Sequence, residues 1–473
     1  MARVGGAMRA ARWVLTLLSV SCVRRGSVGV LPSEDLGADG SSDVVAVEEA
    51  SVGDLADVAG DDGPLPRCEV GYVACGARCV DTRSDAEHCG ACDNACPTRA
   101  DAPERYGCFV GQCGHAVIDL AVGAIHGCAV LRQGTVHCWG HNSRGQLGDN
   151  NTRDSPRGLT IQALAVGDAT QVAVGFEHTC VRRVRGGVSC WGRNDWGQLG
   201  DGSLSDSGIA VEALGLAGAS SVSVGERHSC GAAEGSAWCW GQNEQGALGT
   251  GDIDDRVRPT RVLGVDRADE VVVGDDYGCA RVGARAWCWG SNTQGQLGRG
   301  NVSLPQVRAG PLEGVPELRQ LAAGSAHACA LTRVGEAWCW GANHWGQVGD
   351  DSRSDWEPPR RVRFEGNLKF IAASPGGSHT CAIDERDHTW CWGHNDHGQL
   401  GDGTRQLRTV PTRAVEIEAV RMQSLHVGAQ ASCAIEIGGL AVWCWGDGGA
   451  FGLPEGTASL RPTRITLVPP VAR

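Results

Sequence analysis

The sequence predicts an all-β protein: a seven-bladed β-propeller preceded by a small disulfide-rich module. The first observation is a Cys-Trp-Gly phrase that occurs seven times, with successive copies 49 to 53 residues apart. A constant period near that length is typical of repeat architectures. The second is that each repeat has two short apolar runs around a glycine-containing turn and no helical apolar period. The third is a cluster of eight cysteines ahead of the repeats.

The chain begins with a segment typical of exported proteins. Three arginines and the short apolar run 13–18 precede a few small residues. We therefore expect residues 1–22 to be a signal peptide, since the run is too short to span a membrane. Cys22 follows Ser21 as in a bacterial lipoprotein cleavage site, so lipidation of Cys22 and simple cleavage with release both stay open. We expect an exported protein, either secreted or held as a lipoprotein at the outer membrane or cell surface.

An acidic linker and a cysteine-rich module follow. Residues 23–66 contain no aromatic residue and many acidic ones, so we expect a disordered tether. Residues 67–113 read as a disulfide-stapled module, because export favours disulfides. Zinc is the alternative, suggested by Cys89-x-x-Cys92, but no second ligand pair of suitable spacing follows. The eight cysteines of the module are Cys68, Cys75, Cys79, Cys89, Cys92, Cys96, Cys108 and Cys113.

Residues 114–473 hold the repeats. Each opens with an apolar run ending in Gly, then a His and a Cys, and reaches Cys-Trp-Gly about ten residues later. A glycine-rich loop follows, and then a stretch such as Pro259-Thr260-Arg261-Val262. This order predicts a small antiparallel sheet of about four strands per repeat. Seven such sheets around an axis bury one another's faces and leave only short, protected edges.

Each repeat carries two cysteines placed symmetrically about the expected hairpin turn. Residues opposite each other in such a hairpin are close enough to form a disulfide. We expect seven disulfides within the blades, with free thiols packed as small apolar side chains as the alternative. The expected pairs are Cys128 with Cys138, Cys180 with Cys190, Cys230 with Cys239, Cys279 with Cys288, Cys329 with Cys339, Cys381 with Cys391, and Cys433 with Cys444.

The repeat resembles a known family. Gly-x-x-His-x-Cys-Ala-Leu, then Trp-Gly-x-Asn-x-x-Gly-Gln-Leu-Gly and Pro-x-x-Val, is similar to the repeat of the regulator of chromosome condensation family. The resemblance covers roughly residues 114–473 and implies a seven-bladed propeller. The cysteine pair departs from the general pattern and resembles secreted bacterial members. Tyr277 and Ala431 replace the histidine in the fourth and seventh copies. Residues 75–92 resemble the cysteine-rich repeats of the stigma-specific protein family.

Charge and motifs restrict the function classes. The net charge of −13 argues against a nucleic-acid partner. The sequence has no Gly-x-Ser-x-Gly elbow, His-Glu-x-x-His or phosphate-binding loop. We therefore predict no catalytic residues, no cofactor and no metal, contact with a membrane only through a lipid anchor, and a monomer.

Three sets of polar or aromatic residues recur with the repeat, and for each we favour a structural role. The histidines are alternatively a metal or pH-sensing ring, but we expect them to bond to nearby backbone. The tryptophans are alternatively a carbohydrate platform, but we expect them to fill the gaps between blades. The acids after the loop are alternatively calcium ligands, but we expect turn residues. These sets are His126, His178, His228, His327 and His379; Trp238, Trp240, Trp287, Trp289, Trp338, Trp340, Trp390 and Trp392; and Asp149, Asp201, Asp350 and Asp402.

Three loop residues do not recur. Trp196, Trp345 and His397 stand before the loop glycine, where other copies have Arg144, Gln245 or Gln294. Non-repeated residues that project from one rim are the first candidates for a contact surface.

The favoured hypothesis is a non-catalytic binding module whose partner is an extracellular protein or glycan. A lyase or hydrolase with its site at the channel mouth is one alternative. Guanine-nucleotide exchange, which the family resemblance implies, is another, although export and disulfides both oppose it.

Overall fold

The computed structural model describes residues 73–75, 78–80, 107–109, 112–114, 116–155, 160–415, 417, 420–439, 441–451 and 457–465. The expected signal peptide with Cys22, the acidic linker and most of the cysteine-rich module lie outside this description. Of the module, the structure gives only the backbone of two short hairpins. They pair β1 (Val73–Cys75) with β2 (Arg78–Val80) and β3 (Gly107–Phe109) with β4 (Gln112–Gly114). Its disulfides therefore remain predictions.

Seven antiparallel sheets of four strands follow, as the repeats predict. Each sheet takes four consecutive strands in sequence order, and we number the sheets as blades 1 to 7. Blade 1 is β5 (Val117–Val122), β6 (His126–Leu131), β7 (Val136–Gly140) and β8 (Ile161–Gln162); blade 2 is β9 (Ala169–Val174), β10 (His178–Arg183), β11 (Val188–Gly192) and β12 (Ser207–Glu212); blade 3 is β13 (Ala219–Val224), β14 (His228–Ala233), β15 (Ser236–Gly241) and β16 (Arg256–Asp266).

Blade 4 is β17 (Glu270–Val273), β18 (Tyr277–Val282), β19 (Arg285–Asn292) and β20 (Ser303–Pro311); blade 5 is β21 (Leu318–Ala323), β22 (His327–Thr332), β23 (Ala337–Asn343) and β24 (Ser354–Arg361). Blade 6 is β25 (Leu368–Ala372), β26 (His379–Asp384), β27 (Thr389–Gly393) and β28 (Arg408–Arg413); blade 7 is β29 (Met422–Val427), β30 (Ala431–Glu436), β31 (Val442–Asp447) and β32 (Ala458–Ile465), with a 3-10 helix at Gly448–Phe451.

The second and third strands of each blade form the predicted hairpin. In blade 1 the turn uses Gly134 at a φ of 87°, a conformation that glycine adopts without strain. The two cysteines of each repeat lie directly opposite each other across this hairpin, as Cys128 and Cys138 do. The symmetric placement of the cysteines about the turn therefore gave the register of the two strands.

Every one of these cysteine pairs is bonded, so the alternative of free thiols is wrong for the propeller. The two Cα atoms are 4.1 Å apart in all seven, and all fourteen side chains are fully buried. The bonds join Cys128 to Cys138 in blade 1, Cys180 to Cys190 in blade 2, Cys230 to Cys239 in blade 3, Cys279 to Cys288 in blade 4, Cys329 to Cys339 in blade 5, Cys381 to Cys391 in blade 6, and Cys433 to Cys444 in blade 7.

The hydrophobic core is divided into seven layers, one between each two neighbouring blades. In every layer the disulfide of one blade packs against the Cys-Trp-Gly tryptophan of the next blade. Cys128 and Cys138 of blade 1 pack with Trp191 of blade 2, and the pattern continues around the ring. These tryptophans are fully buried. The Trp of each Cys-Trp-Gly phrase and the disulfide of the preceding blade are therefore the two halves of each interface, as expected for packing tryptophans. Trp238, Trp287, Trp338 and Trp390, for which the same role was predicted, are only half-buried.

The ring closes by packing and not by exchange of a strand. Within the described residues, every blade sheet takes its strands from one continuous repeat. Strand β29 of blade 7 lies beside β5 of blade 1. The layer between them contains Trp139 with Cys433 and Cys444, so the seventh interface repeats the other six.

The first strands of blades 1, 2, 3, 6 and 7 line a narrow central channel. Its wall is built from small apolar residues such as Ala121, Ala173 and Val224, and the cavity measures about 180 Å³. No helix in the described part of the chain is long and apolar enough to cross a membrane.

Candidate interaction face

One face of the propeller is formed by two rings of loops. The loop joining the first and second strands of each blade touches the loop joining its third and fourth strands. In blade 1 the His141 amide donates to the Ile125 carbonyl at 2.9 Å, and in blade 2 the Arg193 amide donates to the Glu177 carbonyl at 2.9 Å. We call this surface the loop face. It contains all three predicted contact residues.

A buried asparagine organises the loop between the third and fourth strands. In blade 2 the Asn194 amide group donates to Asp201 and to the carbonyls of Ser203 and Ser205, at 3.1 to 3.3 Å. Its oxygen accepts from the Leu199 amide at 3.0 Å. Asp201 also accepts from the Ser203 amide at 3.0 Å, as expected of a turn residue. No group of three His, Cys, Asp or Glu residues in the described structure could hold a metal ion.

The recurring histidines bond differently from our prediction. They do not bond to nearby backbone; four of the five donate to a hydroxyl on the next blade. Nε2 of His379 lies 2.8 Å from Ser432 Oγ, and that hydroxyl donates to the Gln399 carbonyl at 2.9 Å. Because the hydroxyl proton is used in this way, the imidazole carries its proton on Nε2. The same arrangement joins His126 to Thr179, His178 to Ser229, and His327 to Thr380.

Burial keeps these histidines neutral. Desolvation lowers the pKa of His379 to about 3 and that of His327 to about 4. They therefore stay in the neutral form near neutral pH, so they lock the blades together and do not act as a pH switch.

In the fourth copy a tyrosine, in place of the histidine, makes the side-chain hydrogen bond to the next blade. Blade 5 has Ala328 where a hydroxyl would stand, and Tyr277 of blade 4 supplies the hydroxyl itself. Its O–H group donates to the His327 carbonyl, and the Gly324 carbonyl lies 3.2 Å from the same hydroxyl. Between blades 3 and 4 there is no such bridge: Gly278 stands opposite, and Nε2 of His228 has no partner among the described residues. The blade 7–blade 1 interface also lacks a bridge, because Ala431 replaces the histidine.

The channel wall is linked by side chains that reach one blade further. The Val172 amide donates to the Asp119 carboxylate at 2.8 Å, and Gln171 bonds to both backbone groups of Val222 at 3.1 and 3.2 Å. Burial raises the pKa of Asp119 to about 7, although its bonds to backbone and nearby Arg182 act in the opposite direction.

A hydroxyl–imidazole contact also lies along the channel, on blade 7. Nε2 of His426 lies 2.8 Å from Ser424 Oγ. Burial lowers the pKa of His426 to about 4, so the imidazole is a weak base.

The structure brings two of the three predicted contact residues together. The Trp345 ring lies 4.4 Å from the ring of His394, which in turn lies 6.5 Å from that of His397. The His394 ring is held from both sides, since Nδ1 accepts from Gln399 at 3.0 Å and Nε2 lies 3.1 Å from Asp396. We call Trp345, His394 and His397 the aromatic patch. Trp196 lies on blade 2, three blades away, and does not join it.

The sequence interpretation missed a second variable position, which we call the rim position. The buried asparagine donates to the carbonyl of the residue nine positions after it, and the rim position is the residue that directly follows that one. Because the flanking carbonyl points inward, the side chain at this position points to solvent. Comparing the copies at this offset would have shown it, since the asparagine that fixes the loop recurs in blades 1 to 6. The rim residues of blades 1 to 6 are Thr152, Leu204, Ile253, Val302, Arg353 and Arg405.

Comparisons with known proteins agree with the fold. A model of the "Regulator of chromosome condensation (RCC1) repeat" matches residues 133–182, 234–281, 284–331, 334–383 and 387–435, and a second model of that repeat matches 117–146, 169–198, 318–347 and 369–399. The matched residues do not extend into the cysteine-rich module.

Among curated relatives, the Ultraviolet-B receptor UVR8 of Arabidopsis thaliana is 32% identical over 306 residues, which is 63% of this chain and 70% of the receptor. The E3 ubiquitin-protein ligase HERC2 of Homo sapiens is 30% identical over 148 residues, 31% of this chain but only 3% of the ligase.

Two solved structures share the fold. Human WBSCR16 has a TM-score of 0.61 and 20% identity, covering 71% of this chain and 94% of its own. Prp20p from Saccharomyces cerevisiae has a TM-score of 0.60 and 20% identity, covering 73% of this chain and 87% of its own.

Proposed function

Because the chain belongs to the regulator of chromosome condensation (RCC1) repeat family, we propose that it is a non-catalytic scaffold that binds a protein partner on its loop face. The observation that carries this proposal is that the repeated residues hold the blades together, whereas the residues at the loop tips differ from blade to blade. Disulfides, tryptophans, asparagines and most bridging histidines recur and are buried. The side chains at the loop tips do not recur, and they include Trp345, which is 36% exposed. An exposed tryptophan on a rigid loop is a favourable anchor for a partner.

We further propose that this scaffold is exported, and that its partner is an extracellular protein or a glycan. Seven bonded cysteine pairs support export, because such pairs persist in oxidising compartments and are rare in the cytosol. The basic and apolar start of the chain and Cys22 agree with this location.

Relatives support a protein as the partner. The description of the Prp20p structure reports binding to Gsp1p and histones, and Prp20 has also been crystallised bound to Kap60. Guanine-nucleotide exchange is the alternative that family membership raises. The disulfides oppose it, because small GTPases that such a factor would serve belong to a reducing compartment.

A hydrolase or lyase at the channel mouth has less support. The channel cavity of about 180 Å³ is smaller than the roughly 300 Å³ at which ligand pockets begin. The Ser424–His426 contact pairs a hydroxyl with an imidazole whose pKa is well below the working range of a general base.

The test is comparative affinity capture. The immobilised full-length chain and a Trp345→Ala/His397→Ala variant are exposed to the culture medium of the producing cells, and bound proteins are quantified by mass spectrometry. We expect at least one protein to be depleted several-fold on the variant. Trp196→Ala, an equivalent change on blade 2, is the matched control for the loss of a loop tryptophan. Equal recovery of every protein on wild type and double variant would contradict a binding role of the aromatic patch.

A further inference from the structure

The rim position divides the loop face into two halves of different chemistry. Leu204, Ile253 and Val302, on blades 2 to 4, are 58%, 59% and 44% exposed. The equivalent residues of blades 5 and 6 are Arg353 and Arg405. Arg353 donates to the His344 carbonyl at 2.9 Å and Arg405 to the Asp396 carbonyl at 3.2 Å, and neither pairs with a carboxylate of the described structure. Exposed aliphatic side chains on three consecutive blades are not explained by the fold, because the same position holds arginine on the next two blades.

Acidic side chains lie between this apolar rim and the channel mouth. Glu226, Asp275 and Asp276 belong to the loops nearest the channel in blades 3 and 4, and Glu244 belongs to the neighbouring loop of blade 3. We call these four residues the acidic arc. Glu226 pairs with Arg227 at 3.0 Å, whereas Glu244 and Asp276 have no ion pair within the described structure.

The acids of the arc repel one another. Desolvation raises the pKa of Asp276, and the charges of Asp275, Glu226 and Glu244 raise it further, while Arg227 acts in the opposite direction. A cation placed here would relieve this repulsion. Arg227 relieves it only in part; Arg256 is paired with Asp252, and the guanidinium groups of Arg258 and Arg308 lie against Gly202 and Gly251 in the rim loops.

We propose that Leu204, Ile253 and Val302, together with the acidic arc, form a docking surface for a protein segment that is both apolar and basic. This inference rests on the proposed scaffold function and names the chemistry of a partner segment that docks on blades 2 to 4, apart from the aromatic patch of blades 5 and 6. Apolar side chains of the segment pack on the rim, and its lysines or arginines point inward to the acidic arc. The arginines at the rim of blades 5 and 6 repel such a segment and restrict it to blades 2 to 4. Charge complementarity of this kind selects partners and speeds their association.

The test uses synthetic peptides and the full chain. A fluorescent peptide of about 20 residues built from Leu and Lys is compared with one that has Glu for Lys and one that has Ser for Leu. Binding is followed by fluorescence anisotropy at low and high salt. We expect the Leu/Lys peptide to bind at least about tenfold more tightly than either analogue, and more weakly as salt rises.

Three variants locate the site. Leu204→Ser/Ile253→Ser/Val302→Ser and Glu244→Gln/Asp276→Asn are each expected to weaken Leu/Lys binding by about tenfold. Arg353→Ser/Arg405→Ser, at the same loop position on blades 5 and 6, is the control and does not weaken binding. All five positions of the first two variants are at the surface, and thermal melts confirm folding.

Equal affinity of wild type and both site variants, or equal binding of the Glu analogue, overturns the inference. If affinity capture still returns a partner that depends on Trp345 and His397, the scaffold function stands and only the basic, apolar partner is rejected.

Discussion

A buried imidazole in this propeller acts as a clasp between blades. His379 of blade 6 donates to Ser432 of blade 7, and Ser432 donates to the Gln399 carbonyl of blade 6. The hydroxyl therefore bonds to two groups of the neighbouring blade at once. Since all three groups are fully buried, removal of the hydroxyl leaves the His379 Nε2–H without a partner, while the Gln399 carbonyl keeps its bond from Trp445 Nε1 at 2.8 Å.

Ser432→Ala is expected to lower the free energy of unfolding by about 1–3 kcal/mol, the usual cost of leaving buried polar groups unsatisfied. Chemical denaturation measures it. Ser432→Thr is the matched control, because Thr380 fills the equivalent position on blade 6 and bonds to Gln347 in the same way, at 3.2 Å. The clasp has no energetic role if the alanine and threonine variants are equally stable.

At the scale of the element, a blade is a small sheet that cannot be stable alone, and its disulfide has two functions. The bond closes a short hairpin, and it also forms one wall of the next hydrophobic layer. Cys329 and Cys339, ten residues apart, pack against Trp392 of blade 6. Loss of this bond should therefore loosen two blades and leave the others largely unchanged.

Cys329→Ala/Cys339→Ala is expected to cost about 2–3 kcal/mol from the lost loop constraint. Hydrogen exchange followed by mass spectrometry should show faster exchange in blades 5 and 6. The same double change at Cys180 and Cys190 is the control, and there the faster exchange should appear in blades 2 and 3, which share Trp240. A uniform increase over all blades would show that the layers are not independent.

For the whole molecule, the sequence predicted the repeated elements and the tryptophans between blades, but it did not predict the hydrogen bonds that join one blade to the next. The spacing of Cys-Trp-Gly and the position of each cysteine pair depend only on local hairpin geometry, so the sheets and their bonds followed directly. The partner of His379 is 53 residues away. Finding it requires the order and direction of blade packing, which no single repeat contains. Tyr277 replaces the histidine and Ala328 replaces the hydroxyl residue that faces it. These two departures from the repeat could be connected only once the direction of packing was known.

The residues of the proposed contact surface were predicted only in part for a related reason. Trp345 and His397 were found because they break a pattern within one loop. Their contact runs through His394 and joins blades 5 and 6, so it depends on tertiary packing. The rim position was missed because its residue type varies between the copies. Without the asparagine hydrogen bonds that define the position, such variation looks like that of any surface loop.

Ring closure is the property that belongs to the whole molecule. Six interfaces are backed by a chain connection from the fourth strand of one blade to the first strand of the next. The interface of blade 7 with blade 1 has no such connection. It also lacks the histidine clasp, since Ala431 stands where the other blades have His or Tyr. What crosses it includes the hydrophobic layer around Trp139 and backbone bonds such as Val117 to Gly439 at 2.8 Å.

We therefore expect the ring to open first between blades 7 and 1. Native-state hydrogen exchange in dilute denaturant should release the amides of β5, β29 and β30 before those of any other inner strands. The interface of blades 6 and 7, with both a chain connection and the His379–Ser432 clasp, is the internal control and should exchange last. The interface of blades 3 and 4 has the connection but no clasp, because Gly278 faces His228, and it should fall between the two. If the three interfaces exchange at one rate, the propeller unfolds as a single unit, and neither clasp nor connection governs its opening.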